Sequence, residues 1–331
     1  MTDIRRPAGA MTAPAGPFLF RAHPDPGLEV AFTGVDAGNL AFHVSGTPAA
    51  GSTGDGGTAG ADDGAGGPRE RVRASRRGVE AALGVAPGRT EYLTQVHSAR
   101  VVAAAGRGWD ESPAAQEADA FVSPTGRDPL AIMVADCVPV VFASRRSVES
   151  PAAVGLSRVS DGRAGISGPG LGGAGHLNGP TAVAHAGRRG LLDGILQNTV
   201  ERMRREGSGH EPGDILAWIG PAICGRCYEV PEQMRLDGAA QIPATHATTT
   251  WGTPALDLPA GAQAVLESLG VTVHRSPICT REDPRLFSHR RDPGRGRFIG
   301  LVWRRQEGQG TGPDEGGEGS EGNEGSDGSE G

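Results

Sequence analysis

The chain contains no lysine: all 32 of its basic residues are arginine. That absence excludes a Schiff-base lysine, a Walker-type phosphate-gripping lysine and a lysine general base. Any phosphate recognition falls instead to guanidinium forks and backbone N–H groups. Aromatic residues are scarce as well, 14 in 331, and the arginines are dispersed, so no stacking surface or basic stripe for a nucleic acid is expected. Four cysteines are too few for a disulfide framework. The longest apolar run, residues 129–143, is interrupted by Asp136 and is too short to span a bilayer. The first 20 residues lack the apolar stretch of a signal peptide. A cytoplasmic protein with no membrane partner is the expectation.

Glycine is abundant, and its placement is informative. Residues 49–67, 144–180 and 306–331 hold 27 of the 54 glycines, and such tracts bury too little apolar surface to offset backbone ordering. They are expected to be two insertions and a disordered tail. The tail carries eight acids and no base, and without it the net charge of -7 becomes +1. The organisation expected is a flexible N-terminus over 1–24, one catalytic domain over 25–305 and the acidic tail over 306–331.

Within the domain, Leu28 to Thr33 alternates as a strand does, and Arg71 to Leu83 places Val72, Val79 and Leu83 on one helical face. Strands are predicted at 91–96, 118–122, 130–142, 181–185, 214–219, 271–274 and 298–303. A helix after Gly187 is predicted to close at Glu206-Gly207, and a short one to cover 261–269. Strands and helices without strict alternation indicate an α+β class, a single mixed α/β domain. A monomer is expected.

Three segments put a metal-capable side chain at the end of an apolar strand: Thr94-Gln95-Val96-His97, Ala135-Asp136-Cys137 and Ala184-His185-Ala186-Gly187. Two imidazoles and a thiolate are ligands that zinc prefers, and three ligands leave a fourth position open, as in catalytic sites. On the residues alone, a core cysteine and two hydrogen-bonded histidines are the favoured description. After His185 a glycine turn leads into a helix start bearing Arg188 and Arg189, where free N–H groups and the helix dipole favour an anion. A second arginine group, residues 288–292 and 295–297, can reach the same place. Cys224-Gly225-Arg226-Cys227 is half a zinc site, or a redox centre if a strand feeds it into a helix. The turn signal at Ile219-Gly220-Pro221 and the absence of a helix start at Tyr228 argue against redox chemistry.

Taken in order, TQVHS, EADAFVS, VADCVPVVF, VAHAGRRGL, AWIGPAICGRCYEV, ALDL, ICTREDPRLFSHRRD and GRGRFIGLVW resemble the YfiH-like family. That family is also called the laccase-domain or multicopper polyphenol oxidase family, the peptidoglycan editing factor family and the purine nucleoside phosphorylase family. The resemblance runs from about Leu28 to Trp303 outside the glycine tracts. It implies a YfiH-like fold of mixed sheets flanked by helices, with zinc held by His97, Cys137 and His185. It also implies phosphorolysis of adenosine, inosine and methylthioadenosine, together with adenosine deamination. The chain departs from the family pattern at Phe32-Thr33-Gly34-Val35-Asp36, where an arginine is missing, at Arg188 in place of tryptophan and at His289 in place of tyrosine. The nine histidines include no His-x-His pair, which a trinuclear copper cluster would need. Zinc is therefore expected in preference to copper.

On this reading Cys137, His97 and Asp136 are the catalytic candidates. Arg189, Arg76, Arg297, Asn39, Gln95 and Asp119 are the substrate-binding candidates, and purine nucleoside and phosphate are the ligands. Two other functions fit the same residues. One is a Cys137–His97 hydrolase acting on amide bonds of peptidoglycan precursors, and the other is a non-catalytic purine- or metal-binding protein.

Overall fold

The central strands are buried at every position, and their successive side chains enter apolar layers on opposite faces, so the protein is built of stacked layers. The computed structural model describes residues 16–44, 66–111, 116–146, 176–208 and 211–305. Nearly all of the 49–67 tract, most of the 144–180 insertion and the whole tail lie outside the described residues.

The strands are β1 (Phe18–Asp25), β2 (Leu28–Thr33), β3 (Val101–Ala103), β4 (Ala120–Ser123), β5 (Leu130–Val134), β6 (Val138–Ser144), β7 (Thr181–Ala186), β8 (Ile215–Ile219), β9 (His246–Thr248), β10 (Pro254–Leu256), β11 (Thr272–Arg275) and β12 (Phe298–Arg304). The helices are α1 (Pro68–Leu83), α2 (Gly108–Glu111), α3 (Arg188–Leu192), α4 (Ile195–Arg205), α5 (Glu232–Gln241) and α6 (Leu258–Ser268). An antiparallel four-stranded sheet runs β1-β2-β12-β5, and a mixed six-stranded sheet runs β11-β8-β6-β7-β4-β3. Strands β9 and β10 form a separate pair. This is the mixed α/β architecture that the sequence implies.

The two sheets face each other across a shared apolar layer. Val30, Phe32, Ile132 and Val302 come from one sheet, and Phe121, Val141, Val183 and Trp218 from the other. The outer face of the four-stranded sheet, with Met133, Ile299, Leu301 and Trp303, packs on Val79 and Leu83 of α1. On the far side, Val138, Val140 and Phe142 of β6 meet Leu191, Ile195, Leu196 and Met203 of α3 and α4 and Leu266 of α6. Two glycines let the sheets approach. A Cβ at Gly220 would stand 2.2 Å from the Phe32 ring, and one at Gly300 would stand 2.7 Å from it.

Helix α1 begins on Pro68, whose missing N–H costs nothing at a first helical position. It ends where Gly84 turns left-handed at φ 70° and donates its N–H to Ala81. Several boundaries differ from the sequence reading. Residues 91–96 form two isolated bridges, not a strand, because side chains take the ladder's place: Gln95 both donates to the Met133 carbonyl (2.7 Å) and accepts from its N–H (2.9 Å). Strand β1 pairs with β2 over residues assigned above to a flexible N-terminus. The predicted helix after Gly187 is split at Asp193-Gly194, where Gly194 has φ 92°. The predicted strand over 130–142 is also two strands, in different sheets. The turn at Ala135-Asp136-Cys137 passes the chain from one sheet to the other.

Candidate functional site

Strand register sets the site. Val138 of β6 is opposite Ala186 of β7, and Ala120 of β4 is opposite Ala184. Asp119, Cys137 and His185 therefore gather at one end of three adjacent strands. His97 reaches them from the segment before β3. The Nε2 of His97 lies 3.8 Å from Cys137 Sγ, and the ligand atoms of His97, Cys137 and His185 all lie within 4.8 Å of one another. Tetrahedral zinc with ordinary Zn–S and Zn–N bonds needs an S···N separation of about 3.6 Å, so this donor set fits a metal with one position left open.

Asp119 organises the cluster from beneath. Fully buried, it accepts a 2.8 Å hydrogen bond from His185 Nδ1. It also accepts from the N–H groups of Val96, His97 and Ser98 and from the Ser98 hydroxyl. The bond to Nδ1 fixes the tautomer that leaves His185 Nε2 facing Cys137. Burial alone would raise the Asp119 pKa, but the bonds from His185 and Ser98 overcome it and hold the carboxyl at about 2.

Burial likewise opposes ionisation of Cys137, and the imidazoles of His185 and His97 outweigh it, bringing the thiol down to about 6. His185 moves the other way, to about 9, because the Cys137 thiolate and Asp119 outweigh its burial. The metal-free cluster is thus a thiolate beside an imidazolium, and a metal would replace the imidazolium proton. In chelator-stripped protein, the rate of Cys137 alkylation by iodoacetamide should be half-maximal near pH 6. An ordinary thiol titrates near pH 8.5, and a midpoint there would refute the ion pair.

Among the described residues two non-glycine residues have positive φ, and both are at this site: His97 at 60° and Asp136 at 88°. Such backbone persists only where neighbours over-determine it. Around Asp136 they do. Its carboxylate accepts from the Thr280 hydroxyl and the Arg290 N–H, both at 2.6 Å, and its carbonyl accepts from Ile223 N–H at 3.0 Å. Gly187 closes the other side, since a Cβ there would lie 2.8 Å from the His97 ring and 3.2 Å from Cys137 Sγ.

Above the cluster is a cavity of about 300 Å³, lined by His97, Cys137, His185, Gln95, Asp136, His43, Tyr228, Arg188, His289, Arg290 and Arg297. A second cavity of about 790 Å³ adjoins it through His43, Gln95 and Met133, and there Arg76 and Arg73 face Trp109 and Phe42. Of the sequence candidates, Arg297 lines the cavity beside the ligands. Arg76 lines the neighbouring one, spending its guanidinium on the Leu40 carbonyl and stacking on Tyr92. Asn39 is committed to backbone, including the Arg297 N–H at 3.0 Å. Arg189 is exposed and outside the lining, and its neighbour Arg188 points in instead. Sequence reasoning passed over His43 and Tyr228, and it named Arg188 at the anion-favouring helix start but carried only Arg189 forward as a substrate-binding candidate. The signal for Arg188 was its occupation of a position where the family pattern has tryptophan. Burial, with the Arg297 and Arg76 guanidiniums nearby, pushes the His43 pKa down.

Fold and site together define a class of protein: two stacked sheets between helices, with a His-Cys-His cluster at the strand ends beneath an arginine-lined cavity. A solved structure of a Neisseria meningitidis DUF152 protein superimposes with a TM-score of 0.61 at 28% identity, covering 88% of this chain and all of that one. The chain belongs to the family described as multi-copper polyphenol oxidoreductase laccase, whose model matches residues 52–154 and 176–305. Among curated relatives, a purine nucleoside phosphorylase of Streptomyces coelicolor is 41% identical over 249 residues, 75% of this chain and 86% of the relative. The Escherichia coli purine nucleoside phosphorylase YfiH is 32% identical over 238 residues, 71% of this chain and 81% of the relative.

Proposed function

We propose that this chain is a zinc-dependent purine nucleoside phosphorylase that also deaminates adenosine. The observation that carries the reading is the convergence of His97, Cys137 and His185 under a cavity lined by three arginines. The relatives' names supply the reaction. His97 and His185 through Nε2, and Cys137 through Sγ, would hold the metal. When bound, zinc supplies Lewis acidity and lowers the pKa of a water at its open position towards neutrality.

The chain's own residues account for the rest. Arg188, Arg290 and Arg297 favour the phosphate dianion, whose own negative charge stabilises the positive charge developing at the ribose. In phosphorolysis a phosphate oxygen bonds to C1′, and the C1′–N9 bond breaks with its electron pair leaving on the base. The base gains the proton that the phosphate dianion gives up as its oxygen bonds to C1′, and His43 at the cavity wall, whose pKa burial lowers, is placed to accept that proton from phosphate and pass it on. Asp119 retains the His185 Nδ1 proton throughout. Asp136 is spent on Thr280 and Arg290, so its role in this reading is to hold the turn that presents Cys137.

The test uses purified protein with adenosine and phosphate, before and after chelation. Adenine with ribose 1-phosphate, and inosine as the deamination product, should form and should be lost on chelation. Formation of neither product rejects the proposal. One observation favours a second reading, a Cys137–His97 amide hydrolase: the thiol sits near pKa 6 within reach of an imidazole. Stoichiometric zinc that protects Cys137 from alkylation would exclude it, because a ligated thiolate is not a free nucleophile.

A further inference from the structure

The Cys-x-x-Cys segment that the sequence reading set aside meets two more donors in the fold. Cys224, Cys227, Cys279 and Glu282 each offer a ligand atom, and the four atoms lie within 4.8 Å of one another. They come from two loops 55 residues apart that are stitched together by backbone. Ala222 bridges Cys279 in parallel, and Thr280 N–H donates to the Ala222 carbonyl at 3.1 Å. The Cys224 N–H points at Cys279 Sγ at 3.4 Å, and Cys227 Sγ is 3.5 Å from Glu282 Oε1. Cys227 and Cys279 are buried, each 5% exposed.

We infer that Cys224, Cys227, Cys279 and Glu282 bind a second, structural zinc ion. Four protein donors within one coordination sphere match a closed tetrahedral site, and three sulfurs select zinc over magnesium or calcium. A single disulfide would use two of the cysteines and leave the third sulfur and Glu282 without a role. Binding displaces the three thiol protons to the solvent. The resulting negative charge is offset by Arg226, whose guanidinium lies 3.7 Å from Glu282 Oε2.

The ion would brace the site already described without entering it. Ile223, adjacent to Cys224, donates to the Asp136 carbonyl, and Thr280, adjacent to Cys279, donates to the Asp136 carboxylate. A zinc joining these two loops fixes both hands on the turn that presents Cys137. The inference does not depend on the proposed reaction.

Zinc content of the full chain, purified and dialysed against metal-free buffer, provides the test. The wild type should retain two equivalents, and Cys137→Ala should retain one. Adding Cys279→Ser to Cys137→Ala should remove the remaining equivalent. Cobalt loading of Cys137→Ala gives a check that does not require the double variant to fold. A near-ultraviolet thiolate-to-cobalt band, with the intensity of three sulfurs, is the supporting result. A zinc-loaded Cys137→Ala chain that keeps no zinc and gives no thiolate band would overturn the assignment. So would mass spectrometry showing a disulfide among these cysteines in the freshly purified, zinc-replete protein.

Discussion

Replacing Cys137 with alanine should lower kcat/KM for adenosine phosphorolysis by at least about a thousandfold, equivalent to about 4 kcal/mol of transition-state stabilisation. Among His97, Cys137 and His185, Cys137 brings the only anionic donor to the centre, and two imidazoles alone do not make a tetrahedral site. The substitution removes one sulfur from a half-buried strand end, so a folded protein with normal circular dichroism is expected. Cys137→Ser should behave much the same, because the hydroxyl keeps the volume but does not ionise at neutral pH. Metal content and kinetics are read on the same preparation. Activity within tenfold of wild type in either variant would show that the thiolate does not hold the reactive centre.

Asp119→Asn should be the second most damaging change, and its effects should separate into two. Asparagine keeps the shape but replaces a carboxylate oxygen by an N–H₂ group in a pocket where four N–H donors and one hydroxyl converge. At least one donor pair must then face each other in a fully buried place. Loss of about 3 kcal/mol in a urea unfolding titration is expected, in the range for breaking a buried charged network. His185 also loses the acceptor that fixes its tautomer, and zinc affinity should fall by about ten- to a hundredfold.

Acid should erase part of that difference. The folded-state pKa of Asp119 is depressed to about 2 from an ordinary 3.8. Its stabilisation is therefore complete above about pH 4 and is lost as pH falls towards 2. The stability gap between wild type and variant should narrow across that window. A gap that stays constant from pH 5 to pH 2.5 would mean that the carboxylate's charge is not what stabilises the segment.

Much of this was legible before any coordinates. Strand β2 has the same limits as its alternating run, and α4 ends at the predicted Glu206-Gly207. Both follow from local chemistry, the one from a strict period of two and the other from a glycine stop. Local chemistry showed the triad only as three strand-end motifs, because their meeting depends on register, and the family resemblance was what joined His97, Cys137 and His185 into one expected site. Pairing of β6 with β7 and of β7 with β4 brings Cys137, His185 and Asp119 together, and no local signal encodes it. The break at 135–137 was hidden for a related reason. Residues 130–144 are apolar on both sides of Asp136, and a strand buried on both faces reads the same whether or not it changes sheets. Local chemistry does not distinguish Arg188 from Arg189, and the direction of the first turn of α3 decides which faces the cavity. The cysteine cluster needed Cys279 and Glu282 to be brought to Cys224 and Cys227, a long-range closure that a Cys-x-x-Cys pair alone does not announce.

The sheet-to-sheet crossing at Asp136 also dictates an order of events in biogenesis. Cys137 cannot come within reach of His185 until β5 has joined β12, β6 has joined β7, and the two sheets have docked across Phe32. The three ligands are spread over 88 positions of the chain, and closing such loops is slow relative to forming local helices. A nascent or partly folded chain therefore offers the metal only scattered single donors. A metal held by this cluster would find its three donors together only in the correctly assembled sandwich.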